Sequence, residues 1–310
     1  MQKLKGILLV ALGAASYGLL ATFVKKANIE GHPTSGLNFL QYLIGFIALA
    51  SIALFAAKRK SNAVVLKNNT ALDTTSKVHK KNGPLRLVLF GFASGLTSYF
   101  YYYSIQYIPV SVAIVLLMQA IWMGVVLELW MSKTFQLSKI IGSALVIIGT
   151  LFAVDAFHAE SALNAQGLIY GILASISYTV SLYAANTVAL QLPNMVRSKY
   201  IGLGALLIVV LIWNLQLIEV VDFGNAALWK YGLFLAFFGA ILPPIAFNKG
   251  FPITGIGLGS ILVSIEIPVS ILSASLVLNE EVKGLQWMGV CIIIVSVIVI
   301  NYQQLKAPKS

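Results

Sequence analysis

The sequence predicts an all-α integral membrane protein of ten transmembrane helices, arranged as two inverted five-helix repeats. Three observations predict it: the composition, the side to which each basic residue falls, and the likeness of the chain to itself. Of 310 residues, 59% are hydrophobic and only 10% are charged, with a mean hydropathy of +0.88. A soluble domain carries about 25% charged residues, so this chain has too little polar surface to coat a globule in water and its solvent is lipid. Runs of about 20 apolar residues, the length that crosses a hydrocarbon core, fall at 4–24, 36–57, 85–105, 109–131, 139–156, 164–187, 195–214, 229–249, 255–278 and 285–303. The first run follows Lys3 and Lys5 but is long for a signal peptide and has a second copy further on, so a retained helix is expected.

Placing these runs alternately, with the N-terminus inside, puts seventeen of the 21 Lys and Arg on the inner side. Only Lys25, Lys26, Lys230 and Lys283 fall outside. That asymmetry is the positive-inside rule, and it accounts for the formal net charge of +11 without a nucleic-acid partner. Both termini are expected in the cytoplasm, and the membrane is expected to be the bacterial cytoplasmic (inner) membrane. The longest connection, about 58–84, is a basic cytoplasmic loop by the same count.

The third observation is internal. "KGILLVALGAASYGLL" (5–20) matches "QGLIYGILASISYTVS" (166–181): Gly6 and Gly167 are each followed by Ser-Tyr, at Ser16-Tyr17 and Ser177-Tyr178. Tyr42 matches Tyr200 in the next helix; Gln119 matches Glu266 and Gly142 matches Gly289 at an offset of 147. The halves divide at 1–157 and 158–310. Five spans per half is odd, so the second copy enters the membrane from the opposite side. Secondary transporters use such inverted repeats because two near-equivalent halves exchange inward- and outward-open arrangements around one central site. A membrane scaffold or interaction protein without transport is the alternative.

The ending "LNEEVKGLQWMGVCIIIVSVIVI", with Pro268 in the ninth helix, Glu280 twelve residues later and Gly289 in the tenth, resembles the EamA-type members of the drug/metabolite transporter superfamily. The resemblance covers nearly the whole chain and is better in the second half; the first half carries Ile121 and Lys133 where Pro268 and Glu280 are expected. It implies export of small metabolites or drugs through a central cavity lined by the first, third and fourth helices and their counterparts.

Within the spans, Glu266 in "SIEIPVS" is the outstanding residue. A charge at the bilayer centre costs roughly 2.5–3.5 kcal/mol on insertion scales, so Glu266 is expected to face a cavity, a partner or water. Gly259, Ser270 and Ser273 give its helix a low-relief face. A substrate contact, a proton-coupling carboxylate and a structural Glu are the readings open to it. Gln119 is its counterpart, with Trp122 one turn along, and both are candidates for substrate contact. Tyr17 and Tyr178, the repeated pair, and Tyr99 and Tyr102 of "YFYYYS" are further candidates, Tyr offering an apolar body with a polar tip. Pro268, and Pro243-Pro244 in "ILPPIAFNKG", should kink or break their helices. Glu128 is expected to pair with Lys133 or Lys139 or to reach the interface, and Glu280 to cap a helix or close a loop.

The sequence holds no His-Glu-x-x-His, no paired intramembrane Asp and no Gly-rich phosphate loop, so an intramembrane protease or ATP-driven pump has nothing to run on. His32, His79 and His158 all lie in polar connections and Cys291 is single, so no metal, cofactor or intrachain disulfide is expected. No Lys or Arg sits at mid-span, which disfavours sugar phosphates and nucleotide sugars. The expected partners are the lipid bilayer and a neutral, zwitterionic or cationic small molecule, amino-acid-like or lipophilic. Protons are a candidate coupling ion, and the protein is expected to be a monomer or homodimer.

Overall fold

The computed structural model describes residues 2–65, 83–132, 137–153, 164–189 and 191–300. Most of the long basic connection, and the junction at 157 and 158, lie outside them, as do the side chain of Glu128 and the surroundings of Gly259. Helices account for nearly all of the described residues, and no strand occurs among them. In a bilayer only structures that satisfy their own backbone can span, and helices do so segment by segment.

The first half comprises α1 (Gln2–Ile29), α2 (Thr34–Val65), α3 (Gly83–Tyr107), α4 (Val110–Leu117), α5 (Ala120–Ser132) and α6 (Leu137–Ala153). The second comprises α7 (Ala165–Thr187), α8 (Asn194–Trp213), the short α9 (Gln216–Glu219) and α10 (Ala226–Leu235), then a π-helical segment (Ala236–Ile241) followed by α11 (Leu242–Val263), α12 (Glu266–Leu278) and α13 (Gly284–Ile300). Six helical stretches are long and apolar enough to cross a membrane: Lys3–Ile29, Thr34–Phe55, Val110–Leu127, Ala165–Ala184, Asn194–Trp213 and Ala226–Phe247. Lys139–Ala153, Glu266–Leu278 and Gly284–Val299 are shorter apolar helices. Helix α3 is 25 residues long, and its tyrosine run dilutes its apolar character.

Two of the expected spans are divided by a turn. The fourth is divided at Met118–Gln119, where bonds of the Gln119 N–H to the Leu116 carbonyl and the Ile121 N–H to the Met118 carbonyl (3.0 Å each) tighten the backbone into a turn. The ninth divides at Ser264–Ile265. There Pro268 stands in the first turn of α12, where a missing N–H has no partner to lose. The gap expected at 250–254 is instead helical, inside α11, and the chain has turned back by Glu266: Thr254 lies against Gly6 and the Glu266 carbonyl against Gly18.

Helix α1 packs against α11 and α12, and α7 against α3, α4 and α5. Helix α2 packs against α10 and α8, α3 against α8, α6 against α13, and α4 against α12. Exchanging the halves maps this set of pairs onto itself. The glycines show which way the helices run. Gly6 abuts Ile253 and Thr254, whereas Gly167, its repeat partner, abuts Tyr107 and Ile108. The far end of α1 reaches the same Ile108, whose carbonyl accepts from Lys25 Nζ at 3.2 Å. So α7 begins at the end where α1 finishes. Close approach is built from missing side chains: a Cβ on Gly204 would land on the Val88 carbonyl, and one on Gly91 on the Ile201 carbonyl.

Candidate functional site

A cavity of about 240 Å³ lies between the halves. Helix α1 supplies Tyr17 and Leu20 to its wall, and α2 supplies Gln41, Tyr42, Gly45, Phe46 and Leu49. Helix α3 contributes Ser94, Thr97, Ser98, Tyr101 and Tyr102. The first four of these fall at i, i+3, i+4 and i+7, one stripe of a helix. From the second half come Tyr178, Ser181 and Leu182 of α7, Ser198, Ile201, Gly202 and Ala205 of α8, and Gly239, Ala240, Pro244 and Phe247 around the π segment. Glu266 stands at the start of α12.

Glu266 is 4% exposed, and its Oε2 makes no hydrogen bond. Its carboxylate is close enough to Tyr17, Tyr101 and Tyr178 to act on all three electrostatically. The Tyr101 hydroxyl and the Ser270 Oγ are also buried without a partner; they are neighbours but outside hydrogen-bond geometry. Six other lining hydroxyls are engaged. Tyr42 donates to the Ser94 carbonyl (2.9 Å) and Tyr102 to Gln41 Oε1 (2.6 Å). Ser98 donates to Asn38 Oδ1 (3.0 Å) and Thr97 to the Ala93 carbonyl (2.8 Å). Ser94 and Ser181 bond each other at 2.6 Å, across the two halves.

The π segment shapes one wall. Pro243 and Pro244 cannot donate to the helix turn before them, and the widened turn at Ala236–Ile241 sits directly N-terminal to them, as expected where the ladder is interrupted. Ser16 Oγ donates to the Phe238 carbonyl at 2.5 Å, and Gln41 closes on Gly239, where a Cβ would stand 2.7 Å from its Nε2.

Of the residues singled out in the sequence, Glu266, Tyr17, Tyr178, Tyr102 and Pro244 line the cavity. Pro243 is buried beside it, and Pro268 sits one turn behind Glu266. Gln119 and Trp122 are elsewhere. Gln119 Nε2 donates to Thr150 Oγ1 (2.6 Å) and the Val115 carbonyl (2.9 Å), and its Oε1 accepts from Trp122 Nε1 (2.9 Å), so the amide is fully spent at the α4–α5 break. Tyr99 faces away, ringed by Phe100, Tyr103 and Trp213 at 5.0–5.2 Å between centroids. Tyr101, not Tyr99, takes the cavity position, because it continues the Ser94–Thr97–Ser98 stripe. Gln41, Tyr42 and that stripe were not singled out; polar residues at helical spacing in α3 were the available signal.

Beyond Glu266, toward Lys25, the bundle is closed. Thr22 Oγ1 and Ser273 Oγ bond at 2.7 Å, and Ile105, Ile267 and Ile271 are fully buried. At the rim, Glu280 accepts from Lys25 Nζ (3.1 Å), the Val110 N–H (2.9 Å), the Ser111 N–H (3.2 Å) and Ser111 Oγ (3.2 Å). It thereby caps α4, whose own N-cap, Pro109, offers no side-chain oxygen. A left-handed Asn279 (φ 54°, ψ 33°) ends α12 and delivers Glu280 to this position.

The family model for the EamA-like transporter family matches this chain twice, over residues 4–154 and 165–302. None of the curated proteins matches it. A solved crystal structure, described only as that of a protein, superposes with a TM-score of 0.63 at 12% identity, over 95% of this chain and 98% of that one; at that identity the likeness carries the fold alone. With both halves matched, almost end to end, the chain belongs to the EamA-like transporter family and is a multi-pass membrane protein.

Proposed function

We propose that this protein is a secondary transporter that exports a small amino-acid-like, zwitterionic or cationic molecule by alternating access around the cavity at Glu266. The observation that carries the reading is the cavity itself: both halves wall it, it holds an unpaired buried carboxylate, and it is sealed on the Lys25 side. The exchange symmetry of the helix pairs and the opposed directions of α1 and α7 support ten spans in two inverted repeats, 1–157 and 158–310. The two matched stretches support the same division. With the N-terminus cytoplasmic and the protein in the inner membrane, the cavity residues on α2, α7 and α8 lie toward the cytoplasm, and the structure is inward-facing. Helices broken at the depth of the site, as at Met118–Gln119 and Ser264–Ile265, are a recurrent feature of secondary transporters. Protons are the coupling ion in this reading, carried by Glu266.

The test is counterflow in proteoliposomes: the purified protein loaded with each member of a metabolite panel, external uptake of labelled compound followed, with and without a pH gradient. Accumulation of at least one compound in wild type that responds to the pH gradient, a response lost in Glu266→Gln, supports the reading. A folded protein that exchanges none of the panel leaves the scaffold alternative in its place.

A further inference from the structure

We infer that the cavity is a site for a small organic monocation, an ammonium carried on one aromatic or aliphatic body, and that zwitterions and anions are excluded from it. The inference rests on the transport reading only for its biological meaning; the site is argued from its own chemistry.

Glu266 presents a buried carboxylate oxygen with no donor, and no Lys, Arg or His is among the cavity's described lining residues. Two cations on helices that wall the cavity are engaged elsewhere: Lys25 with Glu280, and Arg197, through Nε at 3.2 Å, with the Val188 carbonyl. A carboxylate left without an internal counter-charge is completed by an external one. The walls suit that guest. Tyr17, Tyr42, Phe46, Tyr101, Tyr178 and Phe247 all line the space, and aromatic faces attract cations through the ring quadrupole.

The lack of a counter-charge excludes the zwitterion. A substrate carboxylate would meet no cationic side chain among the described lining residues, and with the hydroxyls of Tyr42, Thr97, Ser98 and Tyr102 already donating to protein acceptors, neutral donors such as the Gln41 amide cannot offset the cost of stripping its water. Tyr17, Tyr101 and Tyr178 stand in the field of Glu266 itself, where a second anion is repelled. One carboxylate matches one positive charge, and 240 Å³ lies below the usual range of about 300–1,000 Å³ for ligand pockets, so the guest is compact.

The test uses four molecules on one skeleton: 2-phenylethylamine, phenylalanine, 3-phenylpropanoate and 2-phenylethanol, titrated calorimetrically into the purified full-length protein. The amine should bind at least tenfold more tightly than each of the other three. Glu266→Gln should bring the amine down to the level of the alcohol and leave the alcohol unchanged. Equal binding of phenylalanine or the alcohol, or binding by none of the four, overturns the inference, and the wild-type series decides it alone should the variant fail to fold. Amine binding with no amine flux in proteoliposomes refutes the transport reading and leaves the cation site standing. Flux of phenylalanine with no preference for the amine does the reverse.

Discussion

Glu280 offers the sharpest test of the proposed alternating access, because its bonds tie the end of α12 to α1 and α4 where the Lys25 end is shut. Its carboxylate holds Lys25 and three donors at the start of α4. Hydrogen bonds to a charged group contribute about 1.5–3 kcal/mol, and loss of a helix cap costs about 0.5–2 kcal/mol. Side-chain exposures of 24% for Lys25 and 12% for Glu280 hold the ion pair itself to about 1 kcal/mol or less. Water reaches this rim and replaces part of what is lost, so Glu280→Ala should weaken the closed arrangement by about 3 kcal/mol. That is about a hundredfold rise in the fraction open at this end; Glu280→Gln, which keeps an acceptor for α4, should give about tenfold. The readout is a single cysteine at Thr22→Cys, in a Cys291→Ser background, labelled with a membrane-impermeant maleimide from the Lys25 side. Thr22 is fully buried one turn inside the latch, so its labelling rate follows the open fraction. If Glu280→Ala folds normally and labels within twofold of the parent, the latch does not set this equilibrium and the reasoning fails.

Three further outcomes are expected. Glu266→Gln should abolish the pH dependence of flux for any transported compound while leaving the detergent-solubilised protein monodisperse; an unchanged pH profile would remove Glu266 from coupling. Gly204→Ala sets a methyl against the Val88 carbonyl, an overpacking that costs about 1–3 kcal/mol, and should lower the melting temperature, whereas Gly284→Ala, with nothing within 4 Å, should not. Gln119→Leu deletes bonds to Thr150 and Trp122 and should cost about 1–3 kcal/mol of stability with little change in the affinity for a transported compound; a tenfold affinity loss would return Gln119 to the site.

The spans were legible because hydropathy and the basic residues are local facts, and lipid leaves few alternatives to a helix. Glu266 was legible for the same reason: one charge in an apolar run is conspicuous. The rotation of α3 about its axis was not. It is fixed by the Gly91–Gly204 contact with α8, a long-range event, and it turns Tyr101 rather than Tyr99 into the cavity. The break at Met118–Gln119 carries no proline to announce it, unlike the one before Pro268. The partner of Gln41, Tyr102, is 61 residues away along the chain, beyond any periodicity argument.

The divergence between the two breaks explains why only one of them became a site. At the offset of 147 that pairs Gln119 with Glu266, Thr150 corresponds to Val297 and Trp122 to Val269. The two groups that satisfy the Gln119 amide therefore have no polar equivalent around Glu266. An amide with its donors and acceptor all placed, as at Gln119, is inert and holds α4, α5 and α6 together. A carboxylate can only accept, and with a valine at the position of the one donor, Trp122, Glu266 is left to whatever the cavity admits. The backbone of the two halves stayed alike, with a turn at equivalent depth in each. The change that separates scaffold from site is three side chains wide: amide to carboxylate, and an acceptor and a donor to valine. Restoring one donor tests this directly. Val269→Thr should place a hydroxyl one helical turn from Glu266, as Trp122 Nε1 stands one turn from Gln119. It should then weaken the binding of 2-phenylethylamine by roughly three- to tenfold, because the guest must displace an internal hydrogen bond with a net contribution near 1 kcal/mol. Unchanged or tighter amine binding in a folded Val269→Thr protein would mean that the two breaks are not equivalent in three dimensions.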